Sequence, residues 1–284
     1  MADRTDAPLV VTLLGTGSPL PDPHRAGPAT LVCGGGEQHL VDAGRGVVMR
    51  LAAAGSGPTL LTSVLLTHLH SDHVTDLGDL VTTRWVTGFD GPPLRIVGPV
   101  GTAAHVGHVL ASLEADIGYR LAHHDDLGGP PRVEVHEVGA GPLPLDTVVR
   151  ITAGDTDHRP VHPSLAYRFD HEGASVVTAG DTVPCSTLDD LARGAGALVH
   201  TVLRKDVIGA IDLARLQDTM DYHSSPEEAA GTAARAGVGL LAFTHYVPAP
   251  PPGGAAEWVA LAAEHFAGRI EAGDDLHRID VHPS

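Results

Sequence analysis

Short apolar runs, each closed by glycine or proline, punctuate the first third of the chain. Leu9–Leu14 reads as a strand stopped by Gly15-Thr16-Gly17 and a proline-rich loop over 18–28. Ala29–Cys33 and His39–Asp42 flank Gly34-Gly35-Gly36, the pattern of a hairpin. Val47–Ala54 is a short helix ended by Gly55 and Gly57, and Ser63–Thr67 is a continuous run suited to a strand buried on both faces. Helical spacing of apolar residues follows over 75–85 (Val74, Leu77, Leu80, Val81, Trp85). The middle carries a strand at Leu94–Val97, a helix at Thr102–Ser112 and a loop-rich stretch at His123–Pro131. Strands resume at Arg132–Val138, Thr147–Ala153, Leu165–Asp170 and Ser175–Thr178. The last third alternates helix (Thr187–Ala195, Pro226–Ala236, Ala255–Phe266) with strand (Ala197–Val202, Gly239–Thr244). Strands flanked by helices in both halves predict an α/β sandwich with the helices outside. No linker divides the chain, so one domain over 1–284 is expected, with pseudo-duplicated halves of roughly 1–140 and 141–284.

Composition narrows this picture. Apolar residues make up 43% of the 284 positions and charged ones 19%, which supports a packed core and excludes a disordered chain. Aromatics are only 4%, so small and branched aliphatic side chains must fill the interior. The net charge of −17 repels phosphate backbones, and Lys205 is the sole lysine; a small ester substrate is therefore expected, with nucleic acid disfavoured as partner. Two cysteines, Cys33 and Cys185, make no disulfide framework. The polar N-terminus lacks a signal-peptide core and no run is long enough to span a bilayer, which together predict a cytoplasmic protein without a membrane partner.

The chemistry concentrates at His68-Leu69-His70-Ser71-Asp72-His73, immediately after a buried strand. Imidazoles and a carboxylate crowded this closely leave buried polar atoms unsatisfied unless a cation sits among them. Neutral imidazole and carboxylate are zinc's ligands. His68 and His70 project to one side of an extended segment while Asp72 and His73 follow on the turn, enough donors for two ions. The competing reading is a histidine-rich surface loop.

This H-x-H-x-D-H run resembles the signature of the metallo-β-lactamase superfamily, and within it the chain resembles the ribonuclease Z and arylsulfatase-type branch. The likeness extends from L-G-T-G-S (14–18) through R-A-G-P-A-T-L-V (25–32), V-D-A-G-R-G (41–46), D-H-R-P-V-H-P-S (157–164), A-G-D-T (179–182) and Y-H-S-S-P-E-E (222–228) to T-H-Y-V-P (244–248). It implies an αββα sandwich of two mixed sheets. It also implies two divalent ions, zinc first with manganese or iron possible, one held by His68, His70 and His158, the other by Asp72, His73 and His245, with Asp181 bridging. Asp181 and His245 each follow a strand end, where a side chain can face a site; a turn or cap aspartate and a plain strand-end histidine are the alternatives. His162, four residues after His158, is the rival ligand there.

Such a pair of ions would share a hydroxide as nucleophile, with Asp72 orienting it and His223 donating a proton to the leaving group. His223 has a rival reading as a loop histidine beside a helix cap, with Ser224 or Ser225 capping and Glu227 or Glu228 three residues on. Arg25, His200 and Ser224 are candidate substrate contacts; for Arg25 a loop ion pair and for His200 a strand end compete. Arg84-Trp85 lines a pocket or packs a helix end, Cys185 reads as an inert thiol, and His105, His108, His123 and His124 read as surface histidines. The tract over 247–252 is a stiff wall for a cleft.

Two departures separate the chain from the ribonuclease Z pattern. Thr201 stands where a glutamate is expected to orient the catalytic histidine. Only 22 residues (159–180) separate His158 from Asp181, too few for a tRNA-clamping arm. With the acidic charge, these rank the expected functions: first hydrolysis of a small phosphodiester or sulfate ester, second carbonyl hydrolysis of a lactone, thioester or β-lactam, and last tRNA 3′ processing. A metal-binding sensor without turnover is a further alternative, disfavoured by the complete ligand set. The resemblance also implies a possible homodimer.

Overall fold

The structure is a computed structural model describing residues 7–88 and 91–283. Strands β1 (Leu9–Gly15), β2 (Ala29–Gly34), β3 (Glu37–Val41), β4 (Ser63–Leu65), β5 (Leu94–Gly98) and β6 (Val133–Glu137) come first. They are followed by β7 (Gly141–Pro142), β8 (Arg150–Asp155), β9 (Leu165–His171), β10 (Ala174–Thr178), β11 (Ala197–Leu203), β12 (Leu240–Val247), β13 (Arg269–Ala272) and β14 (His277–Val281). They form two seven-stranded sheets, ordered β14-β1-β2-β3-β4-β5-β6 and β13-β12-β11-β10-β9-β8-β7. Each is antiparallel at one end and parallel at the other: β3 to β6 run parallel in the first, β10 to β13 in the second.

The sheets face each other across a core of Leu9, Val11, Leu13 and Val32 from one and Ile151, Phe169, Val176 and Val199 from the other. Helices cover the outer faces: α1 (Val47–Ala53), α2 (Ser71–Val74), α3 (Leu77–Gly88), α4 (Thr102–Ser112) and α5 (Glu114–His123). The second half adds α6 (Ser186–Ala192), α7 (Lys205–Gly209), α8 (Ala214–Gln217), α9 (Pro226–Ala236) and α10 (Ala256–Ala263). The alanine-rich composition shows its use in α9, whose Ala229, Ala230, Ala233 and Ala236 are buried with Leu198, Val202 and Trp258. Small side chains let a helix lie close to the sheet. This is the two-sheet, helices-outside sandwich expected from the sequence.

Several boundaries differ from expectation. Strand β4 ends at Leu65 because the next residues bond elsewhere: Leu66 N–H donates to Val97 O, and Thr67 N–H to the Asp42 carboxylate. Helix α5 escapes the pattern reading because none of its residues is buried, and β13 and β14 because they are short and only partly buried. Strand β12 runs past Thr244 to Val247 and so contains His245. His245 is the extra residue of a bulge there: Thr201 pairs with Thr244 and Val202 with Tyr246, and His245 has φ 51°. Among the described residues no helix is long and apolar enough to cross a membrane.

Candidate metal centre

Parallel strands deliver the cluster to one edge of the sandwich. Thr67 and His68 follow β4, α2 carries Asp72 and His73, Asp181 follows β10, and β12 carries His245. Gly180, just ahead of Asp181, has φ 65°, and a Cβ there would stand 2.9 Å from the Thr67 Cβ, so this turn requires glycine. His158 sits in the loop after β8 and is 1% exposed. His162 lies at the surface and outside the cluster.

Among the described residues, three groups of side chains could each hold an ion: His68, His70, His158 and Asp181; Asp72, His73 and His245; and Asp181, His223 and His245. In the first, His68 Nε2 lies 3.0 Å and His158 Nε2 3.3 Å from His70 Nδ1, with Asp181 Oδ2 4.0 and 3.9 Å from the same two Nε2 atoms. In the second, Asp72 Oδ2 is 3.2 Å from His245 Nε2 and 3.6 Å from His73 Nε2, and Asp181 Oδ2 is 3.4 Å from both nitrogens. A tetrahedral ion with bonds of about 2.0–2.1 Å spaces its ligands about 3.3 Å apart. The first two groups are therefore close to the size such an ion needs, and Asp181 Oδ2 belongs to both.

The proton positions point the same way. His73 Nδ1 donates to Asp42 Oδ2 (2.8 Å), His158 Nδ1 to Tyr222 O (2.9 Å) and His223 Nδ1 to Thr219 O (2.9 Å), since each partner can only accept. The Thr67 hydroxyl donates to Asp42 and so accepts from His68 Nδ1 at 3.0 Å. In the neutral rings each Nε2 is then a lone pair aimed at the cluster. His73 Nε2 and Asp181 Oδ1 are buried with no hydrogen-bond partner. Unpaired acceptors converging in a dry site fit a divalent cation.

The electrostatics reflect that crowding. Burial, then repulsion from neighbouring rings, pulls His68 well below the usual imidazole range. Burial lowers His158 to about 4, against the opposing pull of Asp181. For Asp181, burial works upward, but His245, His73 and His223 hold the carboxyl well below its ordinary value. His70 is the least buried member of its group and marks the open side.

His223 joins the cluster from the loop before α9, 3.2 Å from Asp181 Oδ2. Ser225, and not Ser224, caps α9, in a reciprocal capping box with Glu228. Thr201 donates to Gly180 O (2.8 Å), and the carbonyl of Thr219 is what holds His223 from behind. Asp42 carries no assigned role in the sequence reading, yet it ties His73 directly and His68 through Thr67. The signal for it was present in V-D-A-G-R-G, an acid placed at a strand end.

Of the three candidate substrate contacts, Arg25 takes the loop ion pair that competed with its substrate role, and His200 and Ser224 are fully buried. Arg25 is buried, bonding Thr16 Oγ1 (2.6 Å), Asp274 Oδ1 (2.6 Å) and Pro250 O (3.2 Å), so its guanidinium is spent on a loop network. His200 has no exposure and shares the outer side of β11 with Leu198 and Val202, under α9. Ser224 is fully buried and donates to Thr182 O. Arg84 bonds the carbonyls of Pro58, Leu61 and Pro92, and Trp85 packs its ring while donating to Gly129 O, away from the cluster.

A two-sheet αββα sandwich with this histidine–aspartate cluster at its edge defines a metallo-β-lactamase-fold hydrolase. Residues 38–246 match the family described as the beta-lactamase superfamily domain, and the chain belongs to that superfamily. Within it the chain belongs to the ribonuclease Z family. It is 61% identical over 273 residues to the "Ribonuclease Z" of Mycobacterium avium (strain 104), covering 95% of this chain and 98% of that one. It is 60% identical over 275 residues to the protein of the same name from Mycolicibacterium gilvum, covering 96% of each. Among solved structures, human tRNase Z, short form, superposes with a TM-score of 0.71 at 23% identity, covering 96% of this chain and 99% of that one. The metallo-beta-lactamase fold protein YhfI from Bacillus subtilis superposes at 0.72 and 22%, with the same coverage.

These relatives put two expectations in doubt. Ribonuclease Z ranked last among the functions, and nucleic acid was disfavoured as partner. The first rested on Thr201, the missing arm and the acidic charge, the second on the acidic charge. The mycobacterial relatives match over nearly their whole length, so a long insertion does not set them apart from this chain.

Proposed function

We propose that the chain is a two-metal phosphodiesterase that cleaves RNA, the ribonuclease Z reaction at the 3′ side of a tRNA precursor. The observation that carries this is the 61% identity over 98% of a protein named ribonuclease Z. The chemistry of the donor set supports it. His68, His70 and His158 would hold one ion, Asp72, His73 and His245 the other, and Asp181 both. Histidine and carboxylate donors suit zinc first, then manganese or iron. When bound, such ions supply Lewis-acid stabilisation of phosphoryl oxygens and ease deprotonation of the attacking water.

The chain's own groups do the rest. Asp72, hydrogen-bonded to His245, orients the attacking water through its second oxygen. His223, held by Nδ1–H to Thr219 O with Nε2 facing the cluster, would pass a proton from Nε2 to the departing oxygen once that nitrogen is protonated, and Asp72 meets His245 at 3.2 Å. The acidic charge favours a second reading, a small phosphodiester substrate, because an extended RNA contact would need cations.

A substrate panel separates the readings: a tRNA precursor with a 3′ trailer, a bis-aryl phosphate, an aryl sulfate and a lactone, each with wild type and Asp181→Ala. The expected result is precise cleavage of the precursor, lost in Asp181→Ala. Turnover of the bis-aryl phosphate alone would replace the RNA reading by the small-ester one, and turnover of the lactone alone would overturn both.

A further inference from the structure

The L-G-T-G-S motif near the N-terminus has no part in the cluster, yet it packs against the strand that carries His245. The bulge leaves His245 without a partner on β11, and its φ of 51° lies in the left-handed region, which strains a non-glycine residue. On the other side, pairing between β12 and β13 stops at Phe243. The next support is the 15–17 loop: Tyr246 N–H donates to Thr16 O at 3.0 Å. The glycines that flank Thr16 let the loop pack closely on residues 26–27. A Cβ on Gly15 would lie 1.9 Å from Gly27 O, and one on Gly17 2.7 Å from Ala26 O.

Thr16 is in turn gripped from the far end of the chain. Asp275, its side chain 5% exposed, accepts from Thr16 N–H (2.9 Å), Thr16 Oγ1 (2.8 Å), Ala26 N–H (2.7 Å) and Arg50 Nε (2.9 Å). Arg25 donates to the same Thr16 hydroxyl, pairs with Asp274, and lies 5.0 Å from the Tyr246 ring centroid. Tyr246 closes the circuit by donating to Gly273 O.

We propose that Asp275 and Arg25 are positioning residues for His245. Through Thr16 they clamp the bulged backbone of β12 and so aim the imidazole at Asp72 and Asp181. The inference rests on the reading of His245 as a metal ligand. It assigns to Arg25 a function other than meeting substrate, and it predicts asymmetry: weakening the clamp loosens the ion held by Asp72, His73 and His245, while the ion held by His68, His70 and His158 keeps its affinity.

The test is titration of the metal-free full-length chain with cobalt(II), following the ligand-field absorption and the two binding steps, for wild type, Asp275→Asn and Thr16→Val. Thr16→Val keeps the backbone carbonyl that meets Tyr246 and gives up both side-chain bonds, so it carries the test if Asp275→Asn does not fold. Val106→Ala, buried on α4 in a part of the core that does not include Tyr246, serves as a control for general destabilisation. The expected result is a 10–100-fold loss of affinity at one step only, the size seen for partners that orient metal ligands, with kcat lowered and KM unchanged. Two steps at wild-type affinity in both variants, or equal weakening of both steps as in the control, would overturn the proposal while leaving the two-metal reading intact. Fewer than two ions bound by wild type would overturn both.

Discussion

Asp42 offers the sharpest test of how the cluster is built. Its Oδ1 accepts from Thr67 N–H at 2.8 Å, its Oδ2 accepts from His73 Nδ1 at 2.8 Å, and the Thr67 hydroxyl lies 2.9 Å from Oδ2. All three donors are buried. Asp42→Ala strands them at once. Each unmet buried donor costs about 1–3 kcal/mol, and allowing for non-additivity the loss should be about 3–5 kcal/mol. That is a large part of a typical folding free energy and carries no information about metal.

Asp42→Asn is the informative change. Asparagine tolerates the φ of 62° at this position, and its carbonyl can still accept from Thr67 N–H. Its NH2 then faces His73 Nδ1 and forces that nitrogen to accept. The proton moves to Nε2, which points at Asp72 and Asp181. A protonated Nε2 is no ligand. The metal-free chain should therefore lose only about 1 kcal/mol, whereas zinc affinity at the Asp72–His73–His245 group should fall 10–100-fold, about 1.4–2.8 kcal/mol. Calorimetric titration of the metal-free variant, with urea unfolding beside it, reads the two effects separately. Wild-type affinity for both ions in Asp42→Asn would show that the partner on Nδ1 does not set the ligand's tautomer, and the reasoning would fail.

Two further outcomes follow from the same geometry. Gly180→Ala combines a φ of 65° with a Cβ 2.9 Å from that of Thr67; it should cost about 1–3 kcal/mol and lower metal content in the purified protein, because the turn aims Asp181. Normal content with full stability would mean the turn yields more easily than its packing suggests. His39, buried between the sheets beside Ser63 and Glu37, has its pKa lowered by burial, which outweighs the upward pull of Glu37. The unfolded state therefore takes up a proton near pH 6.5 before the folded state does, and stability falls as pH drops through that value toward the lower folded pKa. Urea midpoints of the metal-free chain between pH 7 and 5 should decline less steeply in His39→Gln than in wild type, and parallel slopes would refute this.

What was legible in the sequence was what local chemistry dictates. The six-residue histidine run, the glycine before Asp181 and the capping box at Ser225 each express a short-range requirement, and the structure places them accordingly. Helix α9 begins and ends where Pro226 and Gly237 predict, because a cap and an alanine face agree. What was not legible depends on residues far apart in the chain. Asp42 meets His73 across 31 positions, Tyr222 meets His158 across 64, and Asp275 meets Thr16 across 259. No periodicity announces such pairs. The bulge at His245 is hidden for a related reason: an extra residue in a strand leaves no mark in the pattern, so the strand reads as ending at Thr244, just before the histidine.

The expectation against nucleic acid, which the relatives make doubtful, has the same root. A net charge of −17 is the surplus left after all 18 lysines and arginines are set against 35 acids, and as a sum over the whole chain it does not say where the unpaired acids lie. Asp42, Asp72 and Asp181, which add to the count, turn inward to the histidines and contribute no repulsion that a divalent pair would not reverse. A phosphodiester approaching the open side at His70 meets the field of the centre first, since surface charges more than about 10 Å away are screened at ordinary salt. If the substrate is RNA as proposed, global charge would bound how much of it the surface can hold, and with it the salt dependence of binding. Which bond is cut is decided by donors a few ångströms from the phosphorus.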